Sequence, residues 1–446
     1  MDRDEFNATL SEAIDQGDAI GIRALLEELE FADVADLLSH SPAPSRRALW
    51  ESFDETFKGN VIAYVDEDLI AELFAEQTAE EIAQVIERVP DADDLTDIIQ
   101  NLPHAVGDEI LESLDETNRS RIEKLLTYPT DSAGGLMDTD LVSVRQDVSI
   151  DVVLRYLRRH QQLPDATDQI FVVSEEGKFL GNLAINRILV SDPSTLVADC
   201  MDQRFEGIPA TLSRREVATV FERYDLISMP VLDDEGFLVG RVTIDDVVDV
   251  IIDEADHSIL GMAGLSEEDD TFAPVLSSVQ RRAVWLGANL LTAFLASAVI
   301  NVFEGTIEKV VALAVLMPIV ASMGGVAGSQ TLTLVIRGMG QGIIHSNNVN
   351  WLIRREVGVG VVNGVGWAVV VGLGTLLVFS DHQLAFIIAI ALIINISIAA
   401  ITGAILPHLL SKLGIDPAIA GMVVLTTVTD VVGFLSFLGL AAVFYA

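Results

Sequence analysis

Cysteine is almost absent from this chain: Cys200 stands alone among 446 residues. A lone thiol cannot close an internal disulfide, which excludes a disulfide framework and fits a reducing compartment. Lysine is nearly as scarce, with five of the 27 basic residues, the other 22 being arginine. Acidic residues number 67, so the formal net charge is −40. An acidic, lysine-poor composition is what a salt-adapted cytoplasm selects. The opening "MDRDEFNATL" lacks the basic end and apolar run of a signal peptide, and none is expected. There is no phosphate-cradling glycine loop of the P-loop type, and no His/Asp/Ser or Cys constellation in the apolar stretches. Enzyme chemistry is therefore not expected.

Charge of either sign is sparse in the last third. Residues 283–446 hold five basic and six acidic side chains, which leaves 61 acidic and 22 basic in residues 1–282. Five apolar stretches there, about 283–303, 310–336, 357–379, 384–406 and 418–444, are long enough to cross a hydrocarbon core of ~30 Å as helices. A buried soluble core is the competing reading. Five such runs with asymmetric basic loops argue against it. Arg281 and Arg282, then Arg337, Arg354 and Arg355, then Lys412 fall on one side, and only Lys309 on the other. By the positive-inside rule the acidic part is cytoplasmic, the protein multi-pass in the cytoplasmic membrane, and the C-terminus outside.

Two of the stretches are unusual. The second, "LMPIVASMGGVAGSQTLTLVIRG", combines Pro318, which removes a helix hydrogen bond, with Gly324, Gly325 and Gly328. Small residues let backbones approach and expose carbonyls where a cavity can use them. Gly360 and Gly364 in the third read more simply as helix packing. The fifth carries Asp430, expected as the one acid deep inside a span, with Thr426, Thr427 and Gly433 on its face. Intramembrane carboxylates are costly and usually face a water-filled path or a partner. The alternative is a structural Asp hydrogen-bonded to a neighbouring helix.

Residues 10–127 show no strand signals and read as short amphipathic helices, a superhelix or bundle. Beyond them the chain repeats itself. "FVVSEEGKFLGNLAINRIL" (171–189) aligns with "PVLDDEGFLVGRVTIDDVV" (230–248), and "LMDTDLVSVRQDVSIDVVLRYL" with "CMDQRFEGIPATLSRREVATVF". Two β-α-β modules stacked as a pair follow from such a repeat. At the junction, "TIDDVVDVIIDEADHSILG", Asp246, Asp249, Asp253 and Asp256 recur at three- or four-residue steps with Glu254 beside them. Carboxylates on one helix face repel by a few tenths of a kcal/mol per pair. A bound cation would relieve that, though charge runs are usually just solvated.

The repeat resembles tandem cystathionine-β-synthase (CBS) domains, above all in "GFLVGRVTIDDVVD", which implies a regulatory pair of the kind that often binds adenine nucleotides or metal ions. With "DSAGGLM", "VTIDDVVDV", "GAILPHLLSKLGIDPA" and "TTVTDVVGF", and with the order of its parts, nearly the whole chain resembles the MgtE-type magnesium transporters. The implied fold is multidomain: an all-α superhelical N domain (1–130), an α/β tandem CBS pair (131–199 and 200–255), a plug-like linker helix (256–282) and an α-helical polytopic membrane domain of five spans (283–446). The resemblance implies a homodimer in the lipid bilayer with its ion path on the two-fold axis, lined by the second and fifth spans, and no nucleic-acid partner. Asp430 matches the family's ion-binding carboxylate, with backbone oxygens of Thr426, Gly324 and Gly325 contributing. Mg²⁺ would be both substrate and regulatory ligand, passing with waters attached, and ATP would bind the CBS pair. Asp246, Asp249 and Glu254 match the CBS side of the regulatory sites, Asp93 and Asp97 the N-domain side, and Asp253 and Asp256 lie nearby. Val326 and Ser329 stand where the family carries Asn, which leaves Co²⁺ and Mn²⁺ open beside Mg²⁺. His257 and Ser258 replace acidic linker residues.

The lead expectation is a Mg²⁺-gated channel driven by membrane potential, worth ~2.3 kcal/mol per charge per 100 mV. The alternatives are a proton- or sodium-coupled transporter cycling Asp430, and a membrane-anchored sensor that transports nothing. The glycine-rich second span argues against a mere anchor.

Overall fold

Short helices broken by proline and acidic turns can bury only narrow apolar stripes, so they must stack on one another to make a core. We describe the chain from a computed structural model. It covers residues 3–445 apart from 28, 76, 90, 91, 101, 103, 115, 160–162, 165, 205, 266–270, 273, 274 and 345–347. Two units separate, Met1–Ile252 with Thr271–Ala273, and Asp253–Asp270 with Pro274–Ala446.

Among the described residues the first unit begins with ten short helices, from Arg3–Gln16 to Glu116–Leu125. Acidic residues start several of them. Asp18 accepts from the Gly21 N–H and Asp54 from the Phe57 N–H, while Thr78 and Glu81 form a capping box. The helices close over one continuous apolar core that includes Ile22, Leu38, Trp50 and Ile86. Arg46 is fully buried within it. Its guanidinium donates to the Leu38 and Ser41 carbonyls, both at 3.1 Å, and to Glu72 at 2.8 Å, so the buried charge is paired and hydrogen-bonded.

The repeat follows as two three-stranded sheets. β1 (Ser143–Arg145), β2 (Gln169–Val173) and β3 (Phe179–Ala184) form one; β4 (Ile208–Pro209), β5 (Ser228–Leu232) and β6 (Leu238–Thr243) form the other. In each, the first strand pairs parallel with the second and the second antiparallel with the third. Even the irregularities agree: the register slips after Val172↔Gly181 in one sheet and after Val231↔Gly240 in the other. Equivalent residues of the two modules also meet each other. Lys178 bridges to Phe237, and Gln169 Nε2 donates to the Ser228 carbonyl at 2.8 Å. These contacts place a pseudo-two-fold axis between the modules.

The segment leading into each module crosses to the other one. Asp138 pairs with Arg241 of β6, and Asp202 with Asn182 of β3. Ala133 and Met137 are buried in the second module's core, whereas Cys200 is buried in the first module's core with Met201 packed against it. The Asp138 carboxylate receives Arg241 Nη2 at 3.0 Å across this crossing, although burial pushes its carboxyl above the ordinary value. Glycine makes the crossing possible. A Cβ on Gly181 would stand 2.6 Å from the Asp202 carbonyl oxygen, and one on Gly240 would stand 2.9 Å from that of Asp138.

Among the described residues of the second unit five helices are long and apolar enough to span a membrane: Ser278–Val302, Ala312–Gly340, Val349–Phe379, His382–Lys412 and Pro417–Phe444. The fourth is the most enclosed, with Ile387, Ile388, Ala391, Leu392, Ala399 and Ala404 all inaccessible. The third lies against it through small residues, since a Cβ on Gly360 would meet Ala400 Cβ at 2.5 Å. The first helix instead exposes Val284, Leu286, Leu290, Leu291 and Phe294, as a lipid-facing helix does. The third helix begins at Val349, well before the 357 expected from hydropathy. It therefore carries Glu356, which is 5 % exposed. A second acid thus lies on a span helix, two turns from its start, because basic Arg354 and Arg355 had masked that start.

The crossing of the two CBS modules generates a prediction. Gly181→Val and Gly240→Val should each destabilise the pair by about 1–3 kcal/mol, because the opposing groups are backbone carbonyls that cannot swing away. Urea unfolding of the purified full-length protein, followed by circular dichroism, checks this; an unchanged midpoint in both would contradict the crossing.

Candidate ion pathway

Helical spacing puts Thr426, Thr427 and Asp430 together on the fifth span, and all three are half-buried. The threonine hydroxyls fold back onto their own helix. Thr426 Oγ1 donates to the Met422 and Val423 carbonyls, Thr427 Oγ1 to Val423, and buried Thr429 Oγ1 to Thr426. The Thr426 carbonyl, expected as an ion ligand, thus already accepts a hydroxyl proton at 3.0 Å. Inside the unbroken helix Pro417–Phe444 the same oxygen also faces the Asp430 N–H, so an ion ligated there would compete with one of these donors.

The second span lies alongside. Its two predicted glycines face different surroundings. Gly324 is buried, and a Cβ there would stand 2.2 Å from Asn395 Nδ2, whereas nothing lies within 4 Å of a Cβ on Gly325. Gly328 approaches Leu425 of the fifth span and Gly403 of the fourth. On the opposite side of this helix Ser322, Val326, Gln330 and Thr333 are exposed, with Ser329 half-buried among them. Four of those five side chains are polar, which is unlike a lipid-facing surface.

Asn395 of the fourth span is a site residue that sequence reasoning missed. It is completely buried, and its Nδ2 donates to the Val320 carbonyl at 2.8 Å. Gly324 of the second span and Gly433 of the fifth both lie against this amide. The available signal was an amide within "ALIINISIAA", an otherwise apolar run. Glu356 was missed for the reason given above; it accepts from Thr331 Oγ1 of the second span at 3.3 Å and from Arg355.

The junction carboxylates share one unbroken helix, Ile244–Met262. Asp246 accepts from Thr243 Oγ1 at 3.0 Å; Asp249 and Asp256 are exposed, and Asp253 and Glu254 half-buried. Among the described residues no three His, Cys, Asp or Glu side chains converge as a metal site would require. The side chains of Asp93 and Asp97 lie outside the described residues, although their helix, Ala92–Gln100, is described.

The last turns of the junction helix sit against the spans. His257 Nε2 is 2.7 Å from Asp416 Oδ2, Gly261 packs on Ala418 and Ile419, and Thr333 Oγ1 reaches Met262 Sδ at 3.4 Å. Gly264 then turns the chain at φ +74° against Trp285 of the first span. Asp416 also caps the fifth span by accepting from the Ala418 N–H. Burial pushes the Asp416 carboxyl up, but His257 and the Ala418 and Ile419 N–H groups outweigh it and hold the carboxyl below its ordinary value. At the other end of that helix the Tyr445 hydroxyl donates to Asp381, the cap of the fourth span, at 2.6 Å. Burial and Asp381 together push Tyr445 up to about 12.

Comparison with known proteins bears on this arrangement. A family model described as the divalent cation transporter MgtE matches residues 317–440, the MgtE intracellular N domain matches 29–131, and CBS domains match 133–191 and 197–253. The chain is 30 % identical to the magnesium transporter MgtE of Thermus thermophilus, over 98 % of both chains. It is 28 % identical to that of Bacillus subtilis, over 100 % of this chain and 98 % of the other. Among solved structures, the cytosolic domain of the Mg²⁺ channel MgtE in complex with ATP is 31 % identical at a TM-score of 0.49, covering 55 % of this chain and 99 % of that one.

The two glycines make a paired test. Gly324→Ala should disturb the packing around Asn395 and lower the thermal midpoint of the detergent-purified protein by several degrees, whereas Gly325→Ala should leave it within about one degree. Equal midpoints for the two variants would contradict the placement of Asn395.

Proposed function

The chain belongs to the MgtE family of magnesium transporters, and from that premise we propose that it conducts Mg²⁺ across the cytoplasmic membrane through a dimeric path along its second and fifth spans. The observation that carries this reading is the half-buried carboxylate of Asp430, on a helix packed along the glycine-rich second span. A charged group at this depth needs water, an ion or a partner. The exposed polar stripe of the second span supports a second copy as that partner. Two Asp430 carboxylates across a two-fold axis would offer two negative charges to one divalent ion. Mg²⁺ keeps several of its waters, so the carboxylates and the carbonyls of Thr426 and Gly325 would hold a hydrated ion. Gly324 faces Asn395, and its part in this reading is to let the two helices approach.

Gating follows from the junction helix. We assign Asp246, Asp249 and Glu254, with Asp253 and Asp256 nearby and Asp93 and Asp97 on the N domain, to cytoplasmic Mg²⁺ binding. Bound ions would offset the mutual repulsion of these carboxylates. The seat of the helix end on Asp416, Ala418 and Thr333 supports its holding the second and fifth spans closed. An adenine nucleotide at the CBS pair and an outside C-terminus belong to the same proposal.

Two measurements test it. Potential-driven Mg²⁺ flux into proteoliposomes should fall at least tenfold in Asp430→Ala; equal flux would make the carboxylate structural. His257→Leu removes the contact with Asp416, and it should raise flux severalfold at millimolar internal Mg²⁺ while leaving flux at low Mg²⁺ unchanged. A variant that closes as tightly as the wild type would remove the helix end from the gate.

A further inference from the structure

The hairpin that joins the second and third spans reverses the charge balance of the chain. Acids outnumber bases 67 to 27 overall, yet no acidic residue occurs from Lys309 to Arg355. Arg337, Arg354 and Arg355 flank the hairpin, and all three are exposed. Arg355 reaches the buried carboxylate of Glu356, whereas Arg337 and Arg354 meet no carboxylate among the described residues. An exposed cationic island in so acidic a protein requires an anionic partner.

Apolar groups stand beside these charges. Trp351 is 68 % exposed, and helical spacing puts it on one face with Arg354, Arg355 and Gly358. The same face continues as Val362, Val365, Val369 and Leu373, all exposed, which is the surface a span turns to lipid. The preceding loop adds Ile343, 60 % exposed. That loop is fixed by the Ile343 and Ile344 N–H groups, which donate to the Gly338 carbonyl at 2.9 and 3.0 Å. Asn348 Nδ2 in turn donates to the Ile343 carbonyl at 2.7 Å. An acidic peptide would satisfy the arginines but leave the apolar face below them uncovered. A lipid supplies a phosphate for the first and acyl chains for the second.

We propose that the start of the third span binds the headgroup of an anionic phospholipid. Arg354 and Arg355 receive its phosphate, for which the planar guanidinium is suited. Trp351 lies at the level of its glycerol, and its acyl chains run along Val362 and Val365. Arg355 is then shared between the phosphate and Glu356, which also accepts from Thr331 Oγ1 of the second span at 3.3 Å. A bound lipid thereby bears on the contact between the second and third spans. The site rests on the chain lying in a bilayer and is independent of the ion path.

The test uses the full-length protein in detergent, with phosphatidylglycerol and phosphatidylcholine of identical acyl chains titrated by native mass spectrometry. Wild type should retain phosphatidylglycerol ahead of phosphatidylcholine. Arg354→Gln should weaken phosphatidylglycerol binding about fivefold, the worth of one arginine at an anionic surface, with phosphatidylcholine unmoved. Arg282→Gln removes an exposed cation of the first span and should leave both lipids unchanged. Phosphatidylglycerol should also raise the thermal midpoint of wild type more than that of Arg354→Gln, while inorganic phosphate and glycerol 3-phosphate raise neither. Equal retention of the two lipids by wild type would leave the arginines to an acidic peptide and overturn the proposal. Unchanged binding in Arg354→Gln, or an equal loss in Arg282→Gln, would overturn it by showing only diffuse attraction. A midpoint that rises as much with free phosphate would make this a phosphate site and overturn the lipid assignment.

Discussion

The hydrogen bond from Asn395 to the Val320 carbonyl is what the membrane half of this structure turns on. Lipid tails are as apolar as leucine, so burying one apolar helix against another gains little there, and close packing with internal hydrogen bonds has to replace it. Asn395 lies where both are available. Its amide occupies the room left by Gly324 on the second span and Gly433 on the fifth, so three helices meet around one side chain. Gly433 is less than one turn from Asp430. The rotation of the helix carrying that carboxylate is thereby set by an amide on a different helix.

The first unit uses another device for the same end. Each CBS module is completed by the segment leading into the other, through Asp138 with Arg241 and Asp202 with Asn182. Each three-stranded sheet has a core of its own, and the exchange of entry segments ties the two cores together. Strand β6 then runs directly into the helix Ile244–Met262, whose far end contacts the spans. Some of the heavy acidic charge is spent locally, with Asp18, Asp54 and Glu81 starting helices. Most of it remains exposed, as in the Asp249 and Asp256 positions of that helix.

Much of this was legible in the residues. The alignment of 171–189 with 230–248 holds down to the single register slip in each sheet, because a strand-turn-strand pattern is local and repeats with the sequence that encodes it. The helical N domain, the paired β-α-β modules and five apolar helices were equally readable from periodicity, repetition and run length, while the likeness of the modules to CBS domains came from resemblance. What escaped was set by partners. Arg354, Arg355 and Glu356 look like the end of a loop by hydropathy, yet the helix continues through them because Thr331 and Arg355 meet the Glu356 carboxylate. Gly324 and Gly325 are adjacent and chemically identical, and only the neighbouring fourth span distinguishes them.

By itself the sequence determined which segments are helix, strand or membrane span, where the acidic residues concentrate and that Asp430 lies within an apolar helix. Those properties depend on the spacing of side chains along one element, which is written in order along the chain. The tertiary structure alone decided that Asn395 joins the second and fifth spans, that the CBS entry segments cross, and that His257 meets Asp416 across 159 positions of sequence. Such contacts depend on which faces of distant elements come together, and periodicity identifies a face without naming what will cover it.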